Sequence, residues 1–517
     1  MKLRTLLLAL ACVCVALVQA ASPLSLIPLP ASVQQGSGQF TFPAKVQLCV
    51  PSYTGDSVKA VAKRWAGNFT KSTGIKVSVD KKANAAIQLR LNSGLASEAY
   101  DLQVTRERIV IEAARPAGFF YALQTLNQLL PSRAVMAGVK ATDVQAWTLP
   151  VVTIKDHPRF EWRGFMLDEG RHFYGKEEIK KYPLLTEVGA WRNSKVLGWG
   201  EVKPDGQRYG GYYTQKDARE IVRYAQERFI EIVPEVDIPG HSQAAVAAYP
   251  EFLSCDPQNK HEVWLWQGVS PDVINVSHPQ AVQFAKDVID ELTAIFPFRY
   301  IDLGGDECPT NKWEANEACR QQLASIGSKN FRDLQINFYR QLQDHIAQKP
   351  ASEQRQLIFW NEVLHGNTRP LGTDITIMAW VGADGAAKDA AQRGMKTILS
   401  PQIPYYINRR QSNLPTEPRS QGHGTETVEA VYNYVPMAGI PADLQQQYMG
   451  VQANFWTEWV EEASVVQYLM FPRLAAVAEA GWTPQQLRKY PDFLERLQAE
   501  AKYYELRGVD YGKHVFR

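Results

Sequence analysis

The stretch Arg299-Tyr300-Ile301-Asp302-Leu303-Gly304-Gly305-Asp306-Glu307 is a short apolar strand that runs into two glycines and then two adjacent acids. The glycines permit a tight bend at the strand's C-terminal end. Past such a bend neighbouring carboxylates leave the regular alternation and can face one ligand. Their mutual repulsion raises one pKa, which makes an acid able to donate a proton near neutrality. The competing reading is a surface turn with a helix N-cap, so the flanking sequence has to decide.

Outward from this stretch, helical patterns alternate with short apolar segments that end in polar or charged residues. Strands are expected at 164–167, 230–236, 300–303, 357–360, 375–380, 396–399 and 451–456, and helices at 214–227, 280–295, 331–348, 384–393 and 465–480. That order is the signature of a parallel α/β sheet. Charged and aromatic residues gather at the C-terminal strand ends, where a TIM-type (β/α)8 barrel assembles its active site. The barrel is read over residues 156–517. The expected strands number seven, however, and the barrel needs eight. The shortfall lies between Arg171 and Tyr212, where the only helical pattern, at 176–182, is cut short by Pro183. The barrel is therefore expected to be incomplete, with one strand–helix unit missing or irregular after Glu178. An unrepaired gap should expose sheet edges and apolar surface and lower solubility. Upstream, residues 23–150 combine strand patterns at 45–50, 87–91 and 109–113 with amphipathic helices at 57–73 and 117–130, which reads as a small α+β domain.

With 517 residues, 45% hydrophobic and 21% charged, the chain has a globular composition that excludes disordered and collagen-like classes. Lys and Arg total 56 against 54 Asp and Glu, without the basic excess that a nucleic-acid partner would require. Lys2 and Arg4 precede an apolar run at 6–18 that ends in Val18-Gln19-Ala20, which reads as a signal peptide over residues 1–20. Export to a periplasm or to the extracellular space is expected, with a lipid anchor at Cys12 as the rival reading. The run is too short to span a bilayer, and no transmembrane span is expected. Once Cys12 and Cys14 have left with the signal, Cys49, Cys255, Cys308 and Cys319 remain. They are too few for a disulfide scaffold and match no zinc spacing, so neither metal nor cofactor is expected. A bridge from Cys308 to Cys319 or to Cys255 and four buried free thiols both stay open.

Several motifs share one order along the chain. They are Arg163-Gly164-Phe165-Met166-Leu167-Asp168 with Arg171-His172-Phe173, Asp237-Ile238-Pro239-Gly240-His241, Gly304-Gly305-Asp306-Glu307, and Phe455-Trp456-Thr457-Glu458. Together they resemble glycoside hydrolase family 20, the exo-acting β-N-acetylhexosaminidases, over most of the chain. The resemblance implies a retaining mechanism in which the sugar's own 2-acetamido oxygen attacks the anomeric carbon, outside the two-carboxylate scheme. Glu307 is implied as general acid and then base, and Asp306 as the group that orients the acetamido nitrogen. His241 is implied to tune the acid. Tyr406 aligns with the tyrosine that hydrogen-bonds the acetamido oxygen, and Trp360, Trp380 and Trp456 with the aromatics around the sugar. Arg171 and Glu458 match the residues that grip its outer hydroxyls. The implied partner is an oligosaccharide or glycoconjugate with a terminal N-acetylhexosamine.

Three departures stand out against that pattern. The segment that carries the family's first barrel helix and second strand is missing, and with it the aspartate that pairs with the histidine aligned to His241. Asp302 replaces a usual His, and Asn408, counted with the implied substrate-binding residues, stands where many relatives carry Asp and keeps the hydrogen bonding without the charge. Two functions therefore remain open: a working exo-β-N-acetylhexosaminidase, or a catalytically impaired homologue that only binds amino sugars.

Overall fold

The computed structural model describes residues 24–171, 181–194, 206–265 and 268–517. The expected signal at 1–20, together with His172, Phe173 and nearly all of the 176–182 pattern, lies outside them.

In the N-terminal part, Val58, Val61, Ala62, Trp65, Ala66 and Phe69 recur on one face of the helix Asp56–Thr73, which ends at left-handed Gly74. This helix and a second, Pro116–Leu129, pack on a seven-stranded mixed sheet covering Ser32–Thr41 to Thr148–Asp156. At Gly118 the second helix comes so close that a Cβ would lie 2.4 Å from the Ala99 carbonyl oxygen, so only glycine fits. Asp156, at the end of the sheet, accepts hydrogen bonds from the Tyr100 hydroxyl and the Trp482 indole (both 2.9 Å), which ties this unit to the last part of the chain.

Six parallel strands form the wall of the larger unit. They pair in the order Tyr300–Asp302, Gln356–Trp360, Ile375–Ala379, Lys396–Leu399, Tyr448–Phe455 and Trp162–Leu167. The expected seventh strand, at 230–236, is not a full strand. Glu235 bridges Asp302, and the pairing continues through Asp302 N–H to Pro234 O (3.0 Å) and Val236 N–H to Asp302 O (3.0 Å). Among the described residues no strand lies on its other side, and Pro234 has no N–H to offer. The described residues leave the wall open between this segment and Trp162–Leu167, which is where the sequence lacks a unit. Trp162 spans the lower part of the opening, its ring 5.6 Å from that of Tyr300 and nearly perpendicular to it. Residues 181–194 dock outside the wall instead of entering it: Tyr182 donates to Asp287 (2.6 Å) and packs edge-on against Phe284. Leu167, Ile221, Tyr224 and Ile230 are exposed.

The expected helix at 465–480 is two helices, Ala463–Met470 and Arg473–Trp482, because Pro472 interrupts the hydrogen-bond ladder. The four described cysteines are free thiols. Cys319 lies beside Cys255, whereas Cys308 is buried elsewhere, under Gly240. Among the described residues no helix is long and apolar enough to cross a membrane.

Candidate active site

The C-terminal strand ends deliver the candidate residues to one mouth. After Tyr300–Asp302 the chain turns through Gly304 (φ 64°) and Gly305 (φ 94°) and places Glu307 itself at φ 44°. The bend is held from both sides. Gly304 N–H donates to Asp302 Oδ1 (2.9 Å) and Gly305 N–H to Asp237 Oδ1 (2.9 Å), while Gln335 donates to the Gly305 carbonyl (2.8 Å). A Cβ on Gly304 would lie 2.1 Å from Asp237 Oδ1, so that position has to stay glycine.

His241, also at positive φ (47°), turns its Nε2 toward three carboxylates: Glu307 Oε2 at 3.3 Å, Asp306 Oδ2 at 3.8 Å and Asp237 Oδ2 at 4.0 Å. The electrostatics differ from the expectation for an acidic pair. The His241 hydrogen bond, with the charges of His241 and Arg171, holds Glu307 below the usual glutamate range. The raised member is Asp306, pushed up by burial and then by Glu307. Burial therefore decides which acid is raised: His241 lowers both, but outweighs burial only at Glu307. Asp306 Oδ1 is buried without a hydrogen-bond partner among the described residues, so an acceptor stands ready for a donor from outside.

Four aromatic residues line up from neighbouring strand ends. The Tyr406 and Trp380 rings stack with centroids 5.8 Å apart and planes 8° from parallel. Trp360 lies 6.3 Å from both Trp380 and Trp456, and Trp456 lies 6.2 Å from Tyr406. Burial and then the Asp306 charge push the Tyr406 hydroxyl up, so it stays a neutral donor. Arg171 sits over the Trp456 face, 4.6 Å from ring centre to guanidinium carbon, and 3.6 Å from Asp168 Oδ1. Burial alone would lower its pKa, but Asp168, Glu458, Asp237 and Asp306 together hold it firmly protonated. Asp168 in turn accepts the Thr457 N–H (3.0 Å) and hydroxyl (2.8 Å), locking the Arg171 loop to the Trp456 loop. Glu458 is raised by burial, against the pull of Arg171.

The structure thus brings together Glu307, Asp306, His241, Arg171, Trp360, Trp380, Tyr406, Trp456 and Glu458. Asn408 is buried, but its amide donates to Gln421 Oε1 (3.3 Å), so its nitrogen is engaged with that loop and not with the aromatic cluster. Three acids were not singled out from sequence as site residues. Asp237 holds Gly305, Glu235 accepts the Trp360 indole (3.0 Å), and Glu362 accepts the Trp380 indole (2.8 Å) and is pushed up to about 7 by burial. All three lie at or just past a strand end, the one signal that would have marked them.

Two groups among the described residues have the donor set for a cation. Asp237, His241 and Asp306 form one, inside the candidate site, and Asp256, His261 and Asp272 form the other. In the second, Lys312 Nζ already lies 2.6 Å from Asp256 and 3.3 Å from Asp272, so an ammonium fills the cation position.

Residues 176–485 match the model of the glycosyl hydrolase family 20 catalytic domain, and residues 24–157 that of the same family's domain 2. The chain belongs to glycosyl hydrolase family 20. Among its relatives, the β-hexosaminidase of Porphyromonas gingivalis is 33% identical, with 94% of this chain covering 64% of that protein. That of Vibrio furnissii is 30% identical, over 89% of this chain and 77% of the relative. The family 20 exo-β-N-acetylglucosaminidase of Vibrio harveyi, solved with N-acetylglucosamine, superposes with a TM-score of 0.81 at 29% identity, covering 95% of this chain and 78% of that one. The Streptomyces plicatus N-acetyl-β-hexosaminidase gives 0.79 at 28% identity, over 95% and 96% of the two chains. The family fold is thus a TIM-type barrel behind an N-terminal α+β unit, here with a wall that the described residues leave open. The P. gingivalis alignment runs over 524 positions although only 94% of 517 residues take part, so the relative carries insertions that have no counterpart here.

Proposed function

We propose that this chain is an exo-β-N-acetylhexosaminidase that releases terminal β-linked N-acetylglucosamine or N-acetylgalactosamine from oligosaccharides or glycoconjugates by substrate-assisted, retaining hydrolysis. The observation that carries the reading is the open acceptor of Asp306, next to an acid gripped by His241 and beside four clustered aromatics. An acetamido N–H is the donor that Asp306 Oδ1 lacks. Held there, with the acetamido oxygen on the Tyr406 hydroxyl, the substrate's own oxygen attacks the anomeric carbon as Glu307 protonates the departing glycosidic oxygen. The anionic Asp306 offsets the positive charge of the oxazolinium intermediate. Glu307 then takes a proton from the water that opens it. Arg171, Glu458 and the Trp456 face bind the remaining sugar edge.

Because the nucleophile belongs to the substrate, withdrawing electrons from it should slow the reaction. Across aryl glycosides bearing acetyl, fluoroacetyl, difluoroacetyl and trifluoroacetyl on nitrogen, kcat is expected to fall steeply and monotonically. A flat series would remove substrate assistance. That no described strand pairs with the outer side of Trp162–Leu167 favours the second reading, an impaired homologue that only binds amino sugars. Export is proposed on the charged and apolar pattern of residues 1–20, and a secreted chain whose N-terminus is Ala21 would support it, whereas retention of Met1 would refute it.

A further inference from the structure

Trp380 is held at three points. Its backbone N–H donates to Asn361 Oδ1 (2.8 Å), its carbonyl accepts the Gln402 N–H (3.0 Å), and its indole N–H donates to Glu362 Oε2 (2.8 Å). Asn361 and Glu362 are consecutive and directly follow Trp360, the last residue of the neighbouring strand Gln356–Trp360. The first two bonds fix only the main chain, so the angle of the ring depends on Glu362. The other aromatics have further support. Trp360 is 1% and Tyr406 4% exposed, so packing holds them, and Arg171 lies over the Trp456 face. Trp380 is only partly buried, and it also lines a cavity of about 350 Å³ with Gly382, Ala383, Gly385, Pro401 and Ile403. Ile403 is exposed, and a Cβ on Gly382 or Gly385 would meet nothing within 4 Å. An indole released by Glu362 therefore has space to move into. Its stacked neighbour is Tyr406, whose hydroxyl is the group proposed above for the acetamido oxygen.

We propose that Glu362 is a positioning residue: by accepting the indole N–H it keeps Trp380 stacked on Tyr406 and closed against the substrate's N-acyl group, and so sets how long an acyl chain the site accepts. This rests on the hydrolase reading given above. When the nucleophile is the acyl oxygen, the wall that confines the acyl group also aims the attack, so a loose wall slows the reacting step more than it weakens binding. It also admits chains that a closed wall turns away, because discrimination by one methylene depends on a pocket that cannot yield.

The test compares Glu362→Gln, which keeps an acceptor and removes the charge, with Glu362→Leu, which keeps bulk and removes the acceptor. The substrates are aryl glycosides bearing N-acetyl, N-propionyl and N-butyryl groups. On the N-acetyl compound Glu362→Leu should lose about 10²-fold in kcat, the usual cost of a small misplacement, while KM changes less than about fivefold. Its preference for N-acetyl over N-butyryl should fall at least about tenfold. Glu362→Gln should stay within about fivefold of the parent in kcat, about the worth of one hydrogen bond, and keep the parent's preference. Glu362→Ala serves in place of Glu362→Leu should that variant fail to fold. Equal losses in the amide and apolar variants would show that the charge matters and not the acceptor, and would overturn the proposal, as would a folded apolar variant with the parent's preference. The ring is read without turnover by fluorine NMR of the chain labelled with 5-fluorotryptophan, the Trp380 line being the one lost in Trp380→Phe. That line should be single in the parent and in Glu362→Gln, and broadened or doubled in Glu362→Leu, and an unchanged line there overturns the hold. An inactive parent whose variants still show this difference would sink the hydrolase reading and leave the positioning role of Glu362 standing.

Discussion

Replacing Glu307 with glutamine should slow hydrolysis of a disaccharide, whose leaving group needs protonation, by about 10³-fold, within the usual range of general acid catalysis. The loss on an aryl glycoside with a good leaving group should be at least tenfold smaller. Glutamine retains the size of the side chain, so binding of the competitor thiazoline should change little. The pH dependence adds a second signature. His241 holds the Glu307 carboxyl below the usual glutamate range, so the free enzyme keeps the proton only under acidic conditions. The parent's kcat/KM on the disaccharide should therefore climb as pH falls from neutrality until Asp306 takes up its proton, and the variant should lose this slope. Equal losses on the two substrates would show that Glu307 is not the acid.

Asp306→Asn should cost about 10²- to 10³-fold in kcat, the usual worth of one preorganised electrostatic contact in a buried site. Here the loss should be similar for good and poor leaving groups, since the acetamido group reacts in both. Asp306 is buried, so the substitution keeps the shape of the side chain while removing the charge that meets the oxazolinium and faces His241. Its carboxyl is raised by burial and by Glu307, so the parent should also lose rate on the acid side, at a pH above the usual aspartate range, as Asp306 takes up a proton. Full activity of Asp306→Asn would remove the acetamido role.

Much of this was legible in the sequence because it depends on local pattern. The apolar segments before Asp168, Asp306, Trp360 and Trp456 are short and end in polar residues, and six of the seven expected strands form. The gap was visible as well, since a missing unit is a matter of spacing between Arg171 and Tyr212. What escaped depends on neighbours distant in sequence. Residues 230–236 read as a strand, yet a strand beside an absent neighbour keeps pairing on one side only. The pair at 306 and 307 leads one to expect an acid raised by mutual repulsion, whereas burial is the first cause that raises Asp306, and His241, 65 positions before it, holds Glu307 down. Glu235 and Glu362 carry no motif of their own, and their worth lies in the indoles of Trp360 and Trp380 that they orient.

The missing unit bears most directly on the central claim, because an open wall could leave the residues assembled yet idle. The decisive measurement is hydrolysis of an aryl β-N-acetylglucosaminide by the purified chain, with Glu307→Gln as the blank and an N-acetylglucosamine thiazoline as competitor. Turnover above the blank that the thiazoline abolishes is the predicted result. Saturable thiazoline binding with no turnover would contradict it, and would make the chain an amino-sugar binder built on a catalytic frame.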